Sequence, residues 1–231
     1  MTTLSTATAI TLVRKNLDEA GLNESVMYTD ENNDNLSLDD IIKKDLPEAI
    51  NAIHEIAPIG LLEGVEYSFS SASKPEGEDI VIASDGVMTF SPSKSSDFLR
   101  LVAFKAVDSP IVVTDAIPEA SPEGRKQLNQ YIRGRFDRPR IVRMQGNLTP
   151  PQFKYYTLKQ STVSSTTRAK DAVALFSFVR EQFYSPSATG YDISRLLRQN
   201  IIDWLTGMVL ETYSEQAAQQ AFYAKAQAFA E

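Results

Sequence analysis

Apolar residues recur at helical spacing at both ends of this chain and at strand spacing between them. That order of periods constrains the fold more than any other feature. Ile10, Val13, Leu17 and Ala20 mark one helix face over residues 8–20, with Gly21 placed for a C-terminal cap. A second helix starts at Ser37, a good N-cap, with Asp39 and Asp40 in its first turn where the helix dipole favours acids. Its stripe is Ile41, Ile42, Leu46, Ile50, Ile53 and Ala57. Pro47 interrupts it, so the helix kinks there or two short helices abut; Pro58 ends it.

From residue 61 the period shortens. Residues 65–69, 79–83, 87–90, 98–106, 111–114, 140–145 and 153–158 read as strands, and Ser84-Asp85-Gly86 as a hairpin turn. Residues 121–131, with Pro122 in the first turn, read as a short helix. Residues 172–179 suit either state, although Phe176 and Phe178 alternate as in a strand. The helical period returns with Ile193, Leu196, Leu197, Ile201, Leu205, Met208 and Val209, with Asp192 as the cap. A last Ala-rich helix follows Ser214 and puts Phe222 and Phe229 on one face. Trp204 reads as core, with an interface anchor as the second reading. The expected fold is α+β: a helical bundle from residues 1–60 and 190–231, with an inserted β-rich lobe, residues 61–189, that carries a short helix.

Composition narrows the chemistry. The 231 residues include no cysteine and one histidine, His54, which rules out thiol catalysis, disulfides, thiolate zinc and His-rich metal centres. His54 beside the stripe reads as a packed or surface residue. The loop Tyr28–Ser37 has the acids of a calcium loop but lacks its central Gly and closing Glu. No nucleophile elbow, phosphate-binding loop, dinucleotide fingerprint or zinc-protease motif occurs. The acid pairs Asp39-Asp40 and Glu78-Asp79 sit at a helix start and beside a hairpin, where a structural role suffices. The expectation is therefore no catalytic residue, no cofactor and no metal. No secretion signal and no membrane-spanning run is visible.

Charge is unevenly spread. Residues 1–120 carry 21 acids and 8 bases, and residues 121–231 carry 9 acids and 15 bases, or −13 against +6. Such a split suits faces that meet different partners, as in a self-associating head-to-side ring subunit, or simply two lobes with different surfaces. Arg133, Arg135, Arg138, Arg140 and Arg143 lie within eleven residues, interleaved with Tyr131 and Phe136. Arginines among aromatics can hold nucleic-acid backbone, but the acidic chain as a whole favours pairing with acids on the other lobe or on a neighbour. On a strand from 140 to 145, Arg140 and Val142 would face one way and Ile141 and Arg143 the other.

Several segments together resemble the head-to-tail connector, or adaptor, proteins of tailed bacteriophages. They are ITLVRKNLDEAG (10–21), YTDENNDNLSLDDIIKKDLPEAINAIHEIAP (28–58) and RQNIIDWLTGMVLETYSEQAAQQAFYAKAQAFAE (198–231). FLRLVAFK (98–105), AIPEASPEGR (116–125) and YIRGRFDRP (131–139) look like the β-insertion of portal-proximal ring proteins of crAss-like short-tailed phages. Simple adaptors are shorter and all-helical, so the β lobe departs from their pattern.

The resemblance implies a non-enzymatic structural virion protein of the tail or neck, assembled in the host cytoplasm. It would form a ring, dodecameric in that family, that joins the portal to the tail and extends the channel for DNA ejection. Its implied partners are the portal protein, neighbouring copies, other tail ring proteins and double-stranded DNA that passes without sequence-specific binding; no membrane is implied. Residues 214–231, with Phe222 and Phe229 as anchors, would dock on the portal, and their deletion would leave the fold intact. Asp and Glu of the N-terminal half would line the channel, with the five arginines between subunits. The alternative is a soluble, non-enzymatic binding or interaction module of a phage or bacterium; a hydrolase using scattered Asp and Glu lacks any pair that the sequence brings together.

Overall fold

The computed structural model describes residues 2–19, 37–62, 66–70, 80–82, 88–90, 98–106, 109–114, 116–129, 131–135, 137–145, 152–156, 173–212 and 216–229. It is an α+β protein that divides into two compact units, Met1–Val65 with Glu181–Glu231, and Glu66–Arg180. The first is helical and discontinuous in sequence; the second is a contiguous β unit.

The helical unit opens with strand β1 (Thr2–Ser5), which the sequence reading missed, and continues directly into α1 (Thr6–Glu19). Ala9, Val13 and Leu17, four apart, form its buried stripe. Helix α2 (Leu38–Ile56) is a single helix across Pro47, which is itself buried. Its N-cap is as expected: the Ser37 hydroxyl accepts the Asp40 N–H. Ile42, Leu46, Ala49, Ile50 and Ile53 are buried, and His54 beside them is wholly buried as well.

Strand β10 (Gly190–Ile193) pairs antiparallel with β1, so Thr2 faces Ile193 and Ser5 faces Gly190. The strands approach so closely that a Cβ at Gly190 would lie 2.8 Å from the Leu4 carbonyl oxygen. This pairing corrects the assignment of Asp192 as a helix cap. Asp192 lies in β10 and accepts a hydrogen bond from the Thr3 hydroxyl. Helix α4 (Arg198–Thr212) starts later, after a 3-10 turn at Arg195–Leu197.

Helix α4 packs against α1, α2 and α5 (Gln216–Gln227). Ile201, Ile202, Leu205, Val209 and Leu210 are buried, so the helix is apolar on several faces, as its neighbours on several sides require. Two polar residues are buried with them. Asp203 accepts from Asn16 and Gln199, and Thr206 accepts from Asn16 while donating to the Ile202 carbonyl. Burial pushes the Asp203 carboxyl up, and the hydrogen bonds from Gln199 and Asn16 oppose that shift.

In the β unit, β2 (Glu66–Ser70), β9 (Val173–Arg180) and β5 (Phe98–Ala106) form an antiparallel sheet with β9 central. A second sheet runs β3 (Ile80–Ile82), β4 (Met88–Phe90), β8 (Phe153–Tyr156), β7 (Arg140–Arg143), β6 (Ala116–Pro118). β3 and β4 pair as the hairpin reading expects, while the Asp-Gly turn itself lies outside the described residues. Residues 111–114, read as a strand, make only a bridge from Val113 to Phe104.

The two sheets share one aromatic core: Phe98, Phe104, Phe176 and Phe178 from the first, Phe153 and Tyr155 from the second. Phe98 meets Phe153 edge-on at 5.2 Å, and Phe104 meets Tyr155 at 5.1 Å. In β7 both Ile141 and Val142 are buried and both Arg140 and Arg143 exposed, so simple alternation fails there: the strand is covered on both faces.

A basic cleft on the crossover connection

Among the described residues, all strand pairings in the two sheets of the β unit are antiparallel except one. β6 and β7 run parallel, and parallel neighbours need a long crossover between them. That crossover, residues 119–139, contains most of the arginine-rich segment and builds the candidate site.

It begins with helix α3 (Pro122–Lys126). The Ser121 hydroxyl caps it by accepting the Gly124 N–H at 3.0 Å. Gly124 is buried against the start of the crossover, where a Cβ would collide with the Pro118 carbonyl. Asn129 then folds the chain back. Its carbonyl accepts from the N–H groups of Ile132 and Arg133, and its side-chain oxygen accepts from that of Tyr131. Gln127, 7% exposed, clamps the result: its side-chain oxygen accepts the Gly134 N–H at 2.7 Å, and its amide donates to the Glu123 carbonyl at 3.2 Å.

Gly134 is required by space. A Cβ there would lie 2.7 Å from the Tyr156 carbonyl oxygen and 2.9 Å from the Arg140 nitrogen. Arg135 and Arg138 exchange backbone hydrogen bonds at 3.1 and 2.9 Å before the chain enters β7. The arginine spacing is thus held largely by backbone and amide contacts, and the Arg135 guanidinium adds a hydrogen bond to the Tyr131 carbonyl at 3.4 Å.

The outcome is a cleft of about 520 Å³ lined by Lys126, Arg133, Arg135, Arg138 and Arg140, with Glu123, Asp137, Gln127, Tyr131, Ile132 and Gly134. An adjoining hollow of about 280 Å³ shares Arg138, Arg140, Glu123 and Asp137, and adds Ile111, Val112 and Val113. Five cations against two carboxylates make the cleft electropositive. Arg135, Arg138 and Arg140 are exposed and form no ion pair among the described residues; Arg133 is half-buried. Tyr131 and Ile132 in the cleft and Ile111 and Val112 in the hollow expose large apolar surface, Tyr131 to 75%.

Four of the five arginines singled out in the sequence therefore meet in one place. Arg143 does not: it is exposed at the far end of β7, where its carbonyl accepts the Glu119 N–H. Lys126 and the clamp Gln127 escaped the sequence reading because they look like ordinary residues of a short helix. Phe136 and the acidic loop 28–36 lie outside the described residues.

The two residues expected as C-terminal anchors differ in their surroundings. Phe222 is 8% exposed and packs inward with the wholly buried Ala226, while Phe229 lies beyond the end of α5 and is half-buried. The Tyr223 ring stacks on half-buried Trp204 at 4.6 Å and covers Gly207, where a Cβ would lie 2.6 Å from the ring. The Tyr223 hydroxyl donates to Glu211, and its pKa is raised to about 12, chiefly by burial. Because α5 is a layer of the helical unit, deleting residues 214–231 would expose the apolar side of α4.

His54, the lone histidine, is buried, and burial lowers its pKa to about 4, so it is neutral at physiological pH. Among the described residues no three metal-ligating side chains come together, and no helix is long and apolar enough to cross a membrane. Compared with known proteins, the chain matches no family model, and no curated protein matches it.

Proposed function

We propose that this chain is a structural subunit of a ring in the neck or tail of a tailed bacteriophage, where it joins the portal to the tail and extends the DNA channel. The observation that carries this reading is the cleft. Its lining combines exposed Arg135, Arg138 and Arg140 with exposed Tyr131 and Ile132, and the adjoining hollow adds exposed Ile111 and Val112, the composition of a protein-contact surface. The helical unit supplies the opposite sign, with 18 acids and 7 bases against 12 and 16 in the β unit, or −11 against +4. Neighbouring copies can therefore meet basic side to acidic side, and acids left facing a channel repel DNA so that it slides. The partners proposed are the portal, neighbouring copies, other tail rings and transient double-stranded DNA.

Native mass spectrometry of the chain, alone and mixed with the portal of its own genome, tests this. The expected result is a ring, formed alone or on the portal. A persistent monomer or dimer that ignores the portal would place the chain among non-enzymatic binding modules, with the cleft as its ligand groove.

A further inference from the structure

Nine large apolar side chains stand exposed among the described residues, and they fall into two groups. Five belong to the β unit: Tyr131 and Ile132 line the basic cleft, Ile111 and Val112 line the adjoining hollow, and Leu128 stands on the crossover. The other four, Ile56, Phe183, Tyr184 and Leu196, belong to the helical unit. They come from three chain segments that the fold brings to one end. Ile56 is the last residue of α2. The Asn51 side chain holds Gln182 through both backbone groups, at 2.9 and 2.8 Å, which places Phe183 and Tyr184 beside the last turns of α2. The 3-10 turn at Ile59–Leu62, just after α2, packs on the turn that carries Leu196. Exposed Glu55 and half-buried Glu181 flank this patch on the side of α2 and Phe183, and Arg195 and Arg198 are exposed on either side of Leu196, within a unit whose net charge is −11.

We propose that this end of the helical unit docks into the basic cleft of a second copy, with Phe183 and Tyr184 against Tyr131 and Ile132, and Glu55 and Glu181 toward Arg138 and Arg140. The inference rests on the ring reading and names the two surfaces that would meet. Each chain carries both halves of the contact at different places, so the contact is head-to-tail and propagates, closing into a ring when the rotation per subunit allows. Opposite charge selects a second copy over a nucleic acid, and apolar side chains on both sides give the contact a dry centre that phosphates cannot supply.

The absence of cysteine makes the test clean. Ile132→Cys and Tyr184→Cys are made separately in the full chain, then mixed and oxidised, alone and with the portal. The expected product is the 132–184 heterodimer, in clear excess over both homodimers and over a control with Gln220→Cys on α5. In a second arm, Arg138→Glu with Arg140→Glu weakens association about a hundredfold, and mixing that variant with Glu55→Lys, Glu181→Lys restores it. Circular dichroism checks that each variant is folded.

Homodimer crosslinks through residue 132 alone would mean a symmetric cleft-to-cleft contact and overturn the proposal. Wild-type assembly that ignores both charge variants would overturn this docking and leave the ring reading standing. Charge reversal that spares assembly but abolishes retention of a double-stranded DNA oligonucleotide would make the cleft a nucleic-acid site. A wild-type chain that never associates, alone or with the portal, sinks both readings.

Discussion

The two units solve the problem of burial in different ways. The helical unit is filled by aliphatic side chains, Leu46, Ile50, Ile53, Ile201, Leu205 and Val209 among them, around a helix with neighbours on several sides. The β unit is filled by rings, Phe98, Phe104, Phe153, Tyr155, Phe176 and Phe178, shared between two sheets. Aliphatic side chains four apart interdigitate along helices, whereas flat rings bridge the wider space between sheets. The surfaces differ as well, acidic on the helical unit and basic on the other. The lesson is that each core is set by its own secondary structure, while charge is divided between units with no bearing on either core.

Perturbing one core should therefore leave the other intact. Phe178→Ala removes a buried ring from the shared aromatic core and should cost the β unit about 3–5 kcal/mol. Scanning calorimetry should show one transition moving down while that of the helical unit stays; if both moved together, the units would be a single cooperative body. His54 sharpens the contrast from the other side. Its pKa of about 4 in the fold, against an ordinary 6.5, means that the unfolded chain binds the proton more readily. Stability from this residue is complete above about pH 6.5, declines as pH falls and is exhausted near pH 4, a loss of about 3 kcal/mol. Urea titrations across that range should show the loss in the helical unit, and His54→Leu should flatten it.

Smaller effects test the cleft and the cap. Gly134→Ala forces a Cβ against the Tyr156 carbonyl and should cost about 1–3 kcal/mol. It should also weaken self-association by displacing the arginines, read by sedimentation; a stable variant with unchanged association would separate the cleft from assembly. Ser37→Ala removes the α2 cap and should cost about 1 kcal/mol, confined to the helical unit by hydrogen exchange.

Much of this fold was legible in the sequence. Strand β5 has the bounds that its residues suggested, and Ser37 caps α2 as its place before two aspartates implied. Phe176 and Phe178 settled the ambiguous stretch as a strand. What escaped depends on distant partners. Thr2–Ser5 is a strand only because Gly190–Ile193 lies alongside, and that partner in turn removes Asp192 and Ile193 from the helix their periodicity suggested. β7 defied alternation because a strand covered on both faces shows no period of two.

The arginine cluster could be seen, but its geometry could not. The parallel pairing of β6 and β7, which makes 119–139 a crossover, and the Gln127–Gly134 clamp are both tertiary facts. The same holds for the patch of Ile56, Phe183, Tyr184 and Leu196, whose members meet through the bond between Asn51 and Gln182 and through contact between two turns.

The pairing of residues 2–5 with residues 190–193 also sets an order in time. As the chain leaves the ribosome, β1, α1 and α2 emerge well before β10 and α4, against which they pack. The β unit is contiguous over residues 66–180 and has all its strands to hand earlier, so it can fold while the helical half still waits. The patch that includes Phe183 and Leu196 is then the later of the two surfaces to form. On the docking proposed above, a nascent chain would carry a finished cleft but no finished plug, and self-association would wait until synthesis has passed α4.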